Sequence, residues 1–343
     1  MIKLYTIQEM LVPEHRGCAH PLIFDLHYFE NTDPITHEHY SLIENPEDAD
    51  AFIFPIDILS REFRLHKKEY ADFLKMAKSH SKKVFVYTGG DYGTTIEDPA
   101  VITWRLAGSA STNSAQTIIM PSMINDPVQH KIAELLYLPL KSKPQIAFTG
   151  FADKSPIETV RYLLANKIAN LKRLLAIDRS DCQDFFNAPA KRYDYLKSLE
   201  MSKVIDTDFI YRKKYRAGAT NQETRKKTTL EFFQNLTTSP YTFCMRGAGN
   251  FSVRFYESLA CGRIPVVIDT DIVLPLENII DWNKHICLIK PDQQIDEKLY
   301  DFHQQFTEQT FLECQAGNRK LYETQLVRHH YFCSIHDHLK AML

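Results

Sequence analysis

Short apolar runs alternate along the chain with longer stretches of helical periodicity. Residues 2–7 (IKLYTI) open as a strand, and residues 51–55 (AFIFP), bounded by Asp50 and Pro55, fit the end of a buried strand better than a helix. Residues 62–79 carry Phe63, Tyr70, Phe73, Leu74 and Ala77 at helical spacing. Residues 84–87 (VFVY) form the next buried strand, closed by Thr88-Gly89-Gly90-Asp91. Such alternation predicts parallel sheet. A second series starts at residues 146–148, runs through Thr149-Gly150 into a helix over 157–175, regains helical periodicity around 228–236, and ends in helices. Lys141-Ser142-Lys143-Pro144, polar and ending in Pro, separates the two series. A chain of 343 residues accommodates two domains of roughly 150 residues each. The expected fold is therefore α/β, with two Rossmann-like domains facing a cleft: residues 1–143, and residues 144–343 with the last helices crossing back to the first domain. Residues 178–221, rich in charge and Tyr, show no clear period.

The densest stretch is residues 243–282, FCMRGAGNFSVRFYESLACGRIPVVIDTDIVLPLENIIDW. It passes from an apolar strand through a Gly-rich loop into a short helix and out into a second strand, 264–268 (IPVVI). Gly247, Ala248 and Gly249 allow a tight turn and close backbone approach to a ligand. Asn250 or Ser252 can cap the helix that follows. A helix start presents free N–H groups and a partial positive charge, which suits a diphosphate. Arg254 in the first turn adds a full charge with a fork matched to phosphate oxygens, with Arg246 in the loop as a second cation. Glu257, three residues on, can accept two ribose hydroxyls, and Gly262 ends the helix. On spacing alone, Arg254 and Glu257 could equally form a surface ion pair beside an ordinary turn.

The ordered set Phe243, Cys244, Met245, Gly249, Arg254, Glu257, Gly262, Ile264, Pro265, Val266, Leu274, Pro275, Ile280, Asp281 and Trp282 resembles the signature of the exostosin-type glycosyltransferases. Residues 46–55, residues 84–93, and Phe148-Thr149-Gly150 with Arg161 are similar to upstream segments of that family, so the resemblance covers roughly residues 40–290. Gly247 stands where the family has Pro, and Arg263 replaces a Cys. The resemblance implies a GT-B architecture and an inverting glycosyltransferase that moves a sugar from a nucleoside-diphosphate sugar, most often a UDP-sugar, to a hydroxyl of a glycan acceptor. It further implies a compact microbial-type member working in surface polysaccharide or lipopolysaccharide synthesis. The N-terminal domain would take the acceptor, and the C-terminal domain would hold the donor through Thr149, Gly150, Arg246, Gly247, Gly249, Asn250, Ser252, Arg254 and Glu257. Arginines and the helix dipole would stabilise the departing diphosphate without a metal or other cofactor. The proton acceptor would come from the N-terminal domain: Asp91 at a strand end, then Asp57, then His27. The competing readings are a non-catalytic nucleotide- or glycan-binding protein on the same fold and a GDP-sugar-using, fucosyltransferase-like enzyme.

Composition narrows the setting. With 44% hydrophobic and 24% charged residues the chain is an ordinary globular protein, and a net charge of −2 argues against nucleic acid as a partner. No apolar stretch reaches the length of a membrane span, and residues 1–15 do not form a signal peptide. Seven scattered Cys fit reduced thiols in a cytoplasm. Asp206-Thr207-Asp208 and Asp269-Thr270-Asp271 both spell Asp-x-Asp; the second follows a strand, as a metal-holding motif should, but sits after the nucleotide helix rather than mid-chain. His329, His330, Cys333, His336 and His338 sit among aromatic residues and fit a packed helix better than a zinc site. His15, Cys18 and His20 follow the first strand and can line the acceptor side of the cleft. Lys213, Lys214, Lys226 and Lys227, around Arg212, Arg216 and Arg225, form a solvated basic face that can also attract anionic headgroups at the inner face of a membrane.

Overall fold

The computed structural model describes residues 1–29, 34–132 and 134–343. It contains two sheets, each wholly parallel. The first holds β1 (Ile2–Tyr5), β2 (Tyr40–Ile43), β3 (Ala51–Ile53), β4 (Val84–Tyr87), β5 (Val101–Arg105) and β6 (Thr117–Ile119) in the order β2-β1-β3-β4-β5-β6. The second holds β7 (Gln145–Phe151), β8 (Asp206–Arg212), β9 (Tyr241–Cys244), β10 (Ile264–Ile268) and β11 (Cys287–Ile289) in the order β11-β10-β9-β7-β8. These are the two α/β units expected. Strands β3, β4, β5, β9 and β10 are buried along almost their whole length, as strands covered on both faces must be.

Several elements keep the expected boundaries, among them β4, β10 and the Pro156–Leu174 helix. The 62–79 helix is shorter than expected. Residues 62–65 form a 3-10 turn, and the α-helix covers Lys67–Ser79. The segment without a clear period resolves into the Ala188–Met201 helix and β8. Its first part, residues 178–187, lies on the N-terminal lobe. Asp181 accepts from the Thr95 backbone N–H at 2.8 Å and pairs with Arg105 at 3.2 Å, and Arg179 donates to the Ser60 carbonyl at 3.1 Å.

One apolar core runs through both lobes. Ile2, Leu4, Phe85, Ile102 and Trp104 of the first sheet join Phe255, Tyr256 and Leu259 of the Val253–Ala260 helix, together with Tyr331, Phe332, Ile335 and Leu339 of the C-terminal Arg328–Met342 helix. The C-terminal helix thus packs on the N-terminal sheet: the Tyr40 hydroxyl donates to the Phe332 carbonyl at 2.7 Å, and Trp104 lies 5.9 Å from Phe332. His336 belongs to this packing, with its ring 5.5 Å from Tyr40 and 8% exposed. Arg319 ties the two halves again through both carboxylate oxygens of Asp126, at 2.8 and 2.7 Å.

A core shared between lobes predicts that they unfold together. Trp104→Ala should cost about 3–5 kcal/mol, and calorimetry of the wild type should show one transition. Two separated transitions would contradict the shared core.

Candidate active site

The Gly-rich loop and helix are seated by burial. Phe255, Tyr256, Leu259 and Ala260 anchor the Val253–Ala260 helix in the core, which leaves Arg254 and Glu257 on its other side. Gly262 follows with φ of +60°, the left-handed conformation that ends helices. Neither proposed side-chain cap forms. Ser252 occupies the cap position without a side-chain hydrogen bond. Asn250 is 5% exposed, and its Nδ2 donates to the carbonyls of Gly108, Thr270 and Asp271, each at 3.0 Å, while its Oδ1 accepts from the Thr270 hydroxyl at 2.7 Å. Asn250 is a strut between the lobes.

Arg254 does not form the surface ion pair. Its Nη2 donates to the Thr149 carbonyl at 2.8 Å, and its guanidinium lies 4.4 Å from the centre of the Phe148 ring. The Thr149 hydroxyl donates to Asn235 at 2.7 Å, so Thr149 positions Arg254 through its carbonyl. A Cβ at Gly150 would stand 2.7 Å from Arg254 Nη2, so glycine there lets the guanidinium lie flat on β7.

A third arginine, not marked by the sequence, completes the group. Arg192, on the Ala188–Met201 helix, donates to the carbonyls of Phe151 and of Arg246, the latter at 3.1 Å. Burial, and then the charge of Arg254, pull its pKa down to about 9. Burial also lowers Arg254 and Arg246 from the ordinary arginine value. Arg246 stacks on Phe186 at 4.8 Å and donates to the Ala248 carbonyl at 2.8 Å. The Nε atoms of Arg192, Arg246 and Arg254 are enclosed without a partner. Among the described residues, no carboxylate lies within 4.0 Å of any of these three guanidiniums. Partly buried cations that form no ion pair carry a desolvation cost that an anionic ligand would offset. Glu257 stands beside them, its pKa raised to about 7 by burial against the opposing pull of Arg254.

The N-terminal lobe meets this loop directly. A Cβ at Gly249 would fall 2.1 Å from the backbone carbonyl of Asp91, whereas one at Gly247 would meet nothing within 4 Å. Asp91 is exposed. Asp57 is half-buried, and its Oδ1 accepts from the N–H groups of Leu59 at 2.8 Å and Gly89 at 3.0 Å. Burial raises its pKa, against the lowering effect of those two bonds. Beside it a shallow concavity of about 680 Å³ is lined by Ile58, Leu59, Phe63, Tyr70 and Arg179. His27 is exposed and packs edge-on to Tyr28. Its neighbour Asp25, not singled out by any motif, is 4% exposed and stands 3.4 Å from Arg328. Burial pushes its pKa to about 7 even with Arg328 opposing. His20 is wholly buried between Tyr87 and Trp104, with its pKa lowered to about 3 by burial.

The remaining candidates have structural employment. Asp269 Oδ1 accepts from the N–H groups of Asp271 and Ile272, and Asp271 Oδ2 accepts from the Ser111 backbone and hydroxyl. Asp208 accepts from Thr238 at 3.0 Å. Among the described residues no cluster of acidic, His and Cys side chains suits a metal. Trp282 donates to the Pro275 carbonyl at 3.0 Å and packs on Phe255 at 5.3 Å, which bolts the end of the motif under the helix. Arg161 is exposed and pairs with Glu158 at 3.5 Å. Arg212 is held by Glu231 and the Thr228 carbonyl. Lys213, Lys214, Arg225, Lys226 and Lys227 are exposed, and the side chain of Arg216 lies outside the described ones.

Residues 199–298 match the Exostosin GT47 domain. The C-terminal lobe therefore carries a glycosyltransferase domain, and the match spans β8 to β11 with the Arg254 helix between them. No curated protein matches the chain. Among solved structures it is similar to an alpha1,3-fucosyltransferase, at 10% identity and a TM-score of 0.36 over 99% of this chain and 89% of that one. It is similar to WaaG, a glycosyltransferase involved in lipopolysaccharide biosynthesis, at 10% and 0.35 over 97% and 99%. It is also similar to Anabaena HepE in complex with UDP, at 9% and 0.37 over 99% and 100%.

Two outcomes check this geometry. Gly249→Ala should cost about 1–3 kcal/mol in thermal stability, while Gly247→Ala should stay within about 0.5 kcal/mol. Asp25 has a folded pKa of about 7 against an ordinary value of 3.8, so the fold holds its proton more tightly than the unfolded chain does. Wild-type stability should fall as pH rises through that window. Asp25→Asn should melt increasingly above the wild type as pH rises from about 4 to about 8, and equal melting at both ends would contradict the assignment.

Proposed function

We propose that the protein is an inverting glycosyltransferase of GT-B type that uses a nucleoside-diphosphate sugar, with UDP as the nucleotide. The observation that carries this reading is the set of arginines at the end of β7 and in the Gly-rich loop: Arg254 lies along β7, Arg192 feels its charge and donates to the Arg246 carbonyl, and the Nε atom of each is enclosed without a partner. The diphosphate lies against them, and their charge stabilises it as the glycosyl bond breaks, so that no metal is required. Glu257 accepts the ribose hydroxyls. Gly247 and Gly249 bring the backbone close, and Thr149, Gly150, Asn250 and Ser252 shape the seat without touching the donor.

On the acceptor side, Asp57 takes the proton. Its Oδ1 is held by two backbone donors, Oδ2 remains available, and burial raises its affinity for a proton toward the working range. Asp91 sits at the lip where the lobes meet, and Asp25 and His27 lie farther along the same lobe. The acceptor is a glycan hydroxyl in the concavity beside Asp57, in a surface polysaccharide or lipopolysaccharide pathway served from the cytoplasm.

Arg254→Ala should weaken UDP binding about a hundredfold, measured by calorimetry or thermal shift, with the fold retained. Asp57→Asn keeps the Oδ1 hydrogen bonds, so it should leave UDP binding unchanged and lower turnover about a hundredfold or more. Wild-type turnover should decline with falling pH as Asp57 takes up its proton. Normal turnover by Asp57→Asn together with its loss in Asp91→Asn would transfer the role to Asp91. A larger thermal shift with GDP than with UDP would favour the fucosyltransferase-like alternative.

A further inference from the structure

The Pro156–Leu174 helix is inside out. None of its residues is buried. The face turned to the protein is polar: Asn166 and Asn170 both donate to the Gln183 carbonyl, Asn170 accepts from the Gln183 N–H and from Arg173, and Thr159 accepts from Asn187. The face turned outward is apolar. Ile157, Val160, Leu164, Ile168, Leu171 and Leu174 are between 55% and 80% exposed. At 100° per residue, the first five fall on one stripe and Leu174 on its edge. Leu175 and Ile177 extend it, at 62% and 63% exposed. A contiguous apolar patch of this kind is not an ordinary surface, where exposed apolar residues occur singly.

The charges around the stripe select its occupant. Arg161, Lys167 and Lys172 are exposed along its flanks, and the single acid of the helix, Glu158, is already paired with Arg161 at 3.5 Å. Two copies pairing through this stripe would bring cations against cations, which opposes a dimer. An apolar stripe bordered by Lys and Arg suits the headgroup region of an anionic bilayer. The helix would lie on the surface, and no described helix is long and apolar enough to cross it.

We propose that the Pro156–Leu174 helix docks the protein on an anionic lipid surface, with Leu164, Ile168 and Leu171 entering the headgroup boundary and Arg161, Lys167 and Lys172 meeting lipid phosphates. The helix starts where β7 ends at the donor seat, and its last turn reaches the N-terminal lobe, where Arg173 stacks on Tyr92 at 4.5 Å beside Asp91. Docking would therefore hold the mouth of the cleft near the membrane. On the reading of the site given above, that is where a lipid-linked acceptor would be found; the docking itself does not depend on that reading.

The test is cosedimentation of the full chain with vesicles of phosphatidylcholine and phosphatidylglycerol in equal parts. The wild type should bind. Leu164→Glu/Leu171→Glu should lower the bound fraction about tenfold or more, with unchanged melting and an unchanged thermal shift with UDP, because both side chains are exposed. Lys167→Gln/Lys172→Gln, higher salt, and vesicles of phosphatidylcholine alone should each weaken binding. Absence of wild-type binding, or equal binding by the Glu variant, would overturn the proposal. So would a wild-type dimer in light scattering that the Glu variant converts to monomer, since the stripe would then belong to a second copy. Failure of UDP to bind would bear only on the active-site reading.

Discussion

The site depends on the burial of one short helix. Phe255, Tyr256 and Leu259 sink the Val253–Ala260 helix into a core built from both lobes, and Trp282 closes over Phe255. That packing leaves Arg254 little freedom. It must lie along β7, across the glycine at 150, and hand a hydrogen bond to the carbonyl at 149. Apolar packing thus places the cation and holds it away from bulk water, where its charge would be screened. Arg192 beside it and Arg246 in the loop follow the same logic: their carbonyl contacts fix them in place without an ion pair.

Much of this was legible in the residues. Long apolar runs gave β4 and β10 their limits, because a strand buried on both faces leaves a continuous signal. The Gly-rich loop leading into a short helix, with Arg254 and Glu257 away from its buried face, was legible because glycines before a helix and apolar spacing within it follow fixed rules. Strands β2, β5 and β6 were not foreseen: each mixes polar residues (Ser41, Thr103, Arg105, Thr117) into its apolar run, which breaks the continuous signal. Asn250 looked like a cap and proved a strut, since its partners at residues 108, 270 and 271 are distant in sequence. Arg192 was invisible for a similar reason. It stands in a helix of weak periodicity, and only the tertiary fold sets it against Arg254. Asp25 gained meaning only from its burial and from Arg328, three hundred positions away along the chain.

The first part of the segment that resisted sequence reading, residues 178–187, does two jobs. One side receives the polar face of the Pro156–Leu174 helix through Gln183, and the other reaches the N-terminal lobe through Asp181 and Arg179. A stretch committed to hydrogen bonds in two directions has little use for hydrophobic periodicity, so its composition shows charge without pattern. The exposed stripe on that helix arises from the same choice: with its polar residues spent inward, the apolar ones are left outside.

The lobes are strapped together at several points around the cleft. Asp271 grips Ser111 on one side, Asp181 grips Arg105 and Thr95 on another, and the C-terminal helix lies across the first sheet behind them. Each of these straps would have to break for whole domains to swing apart. Between these straps the backbone around Gly247 has empty space on its side-chain flank, which leaves it room to move. On the proposed reading, donor exchange becomes a matter of a few peptide units flexing at a fixed doorway.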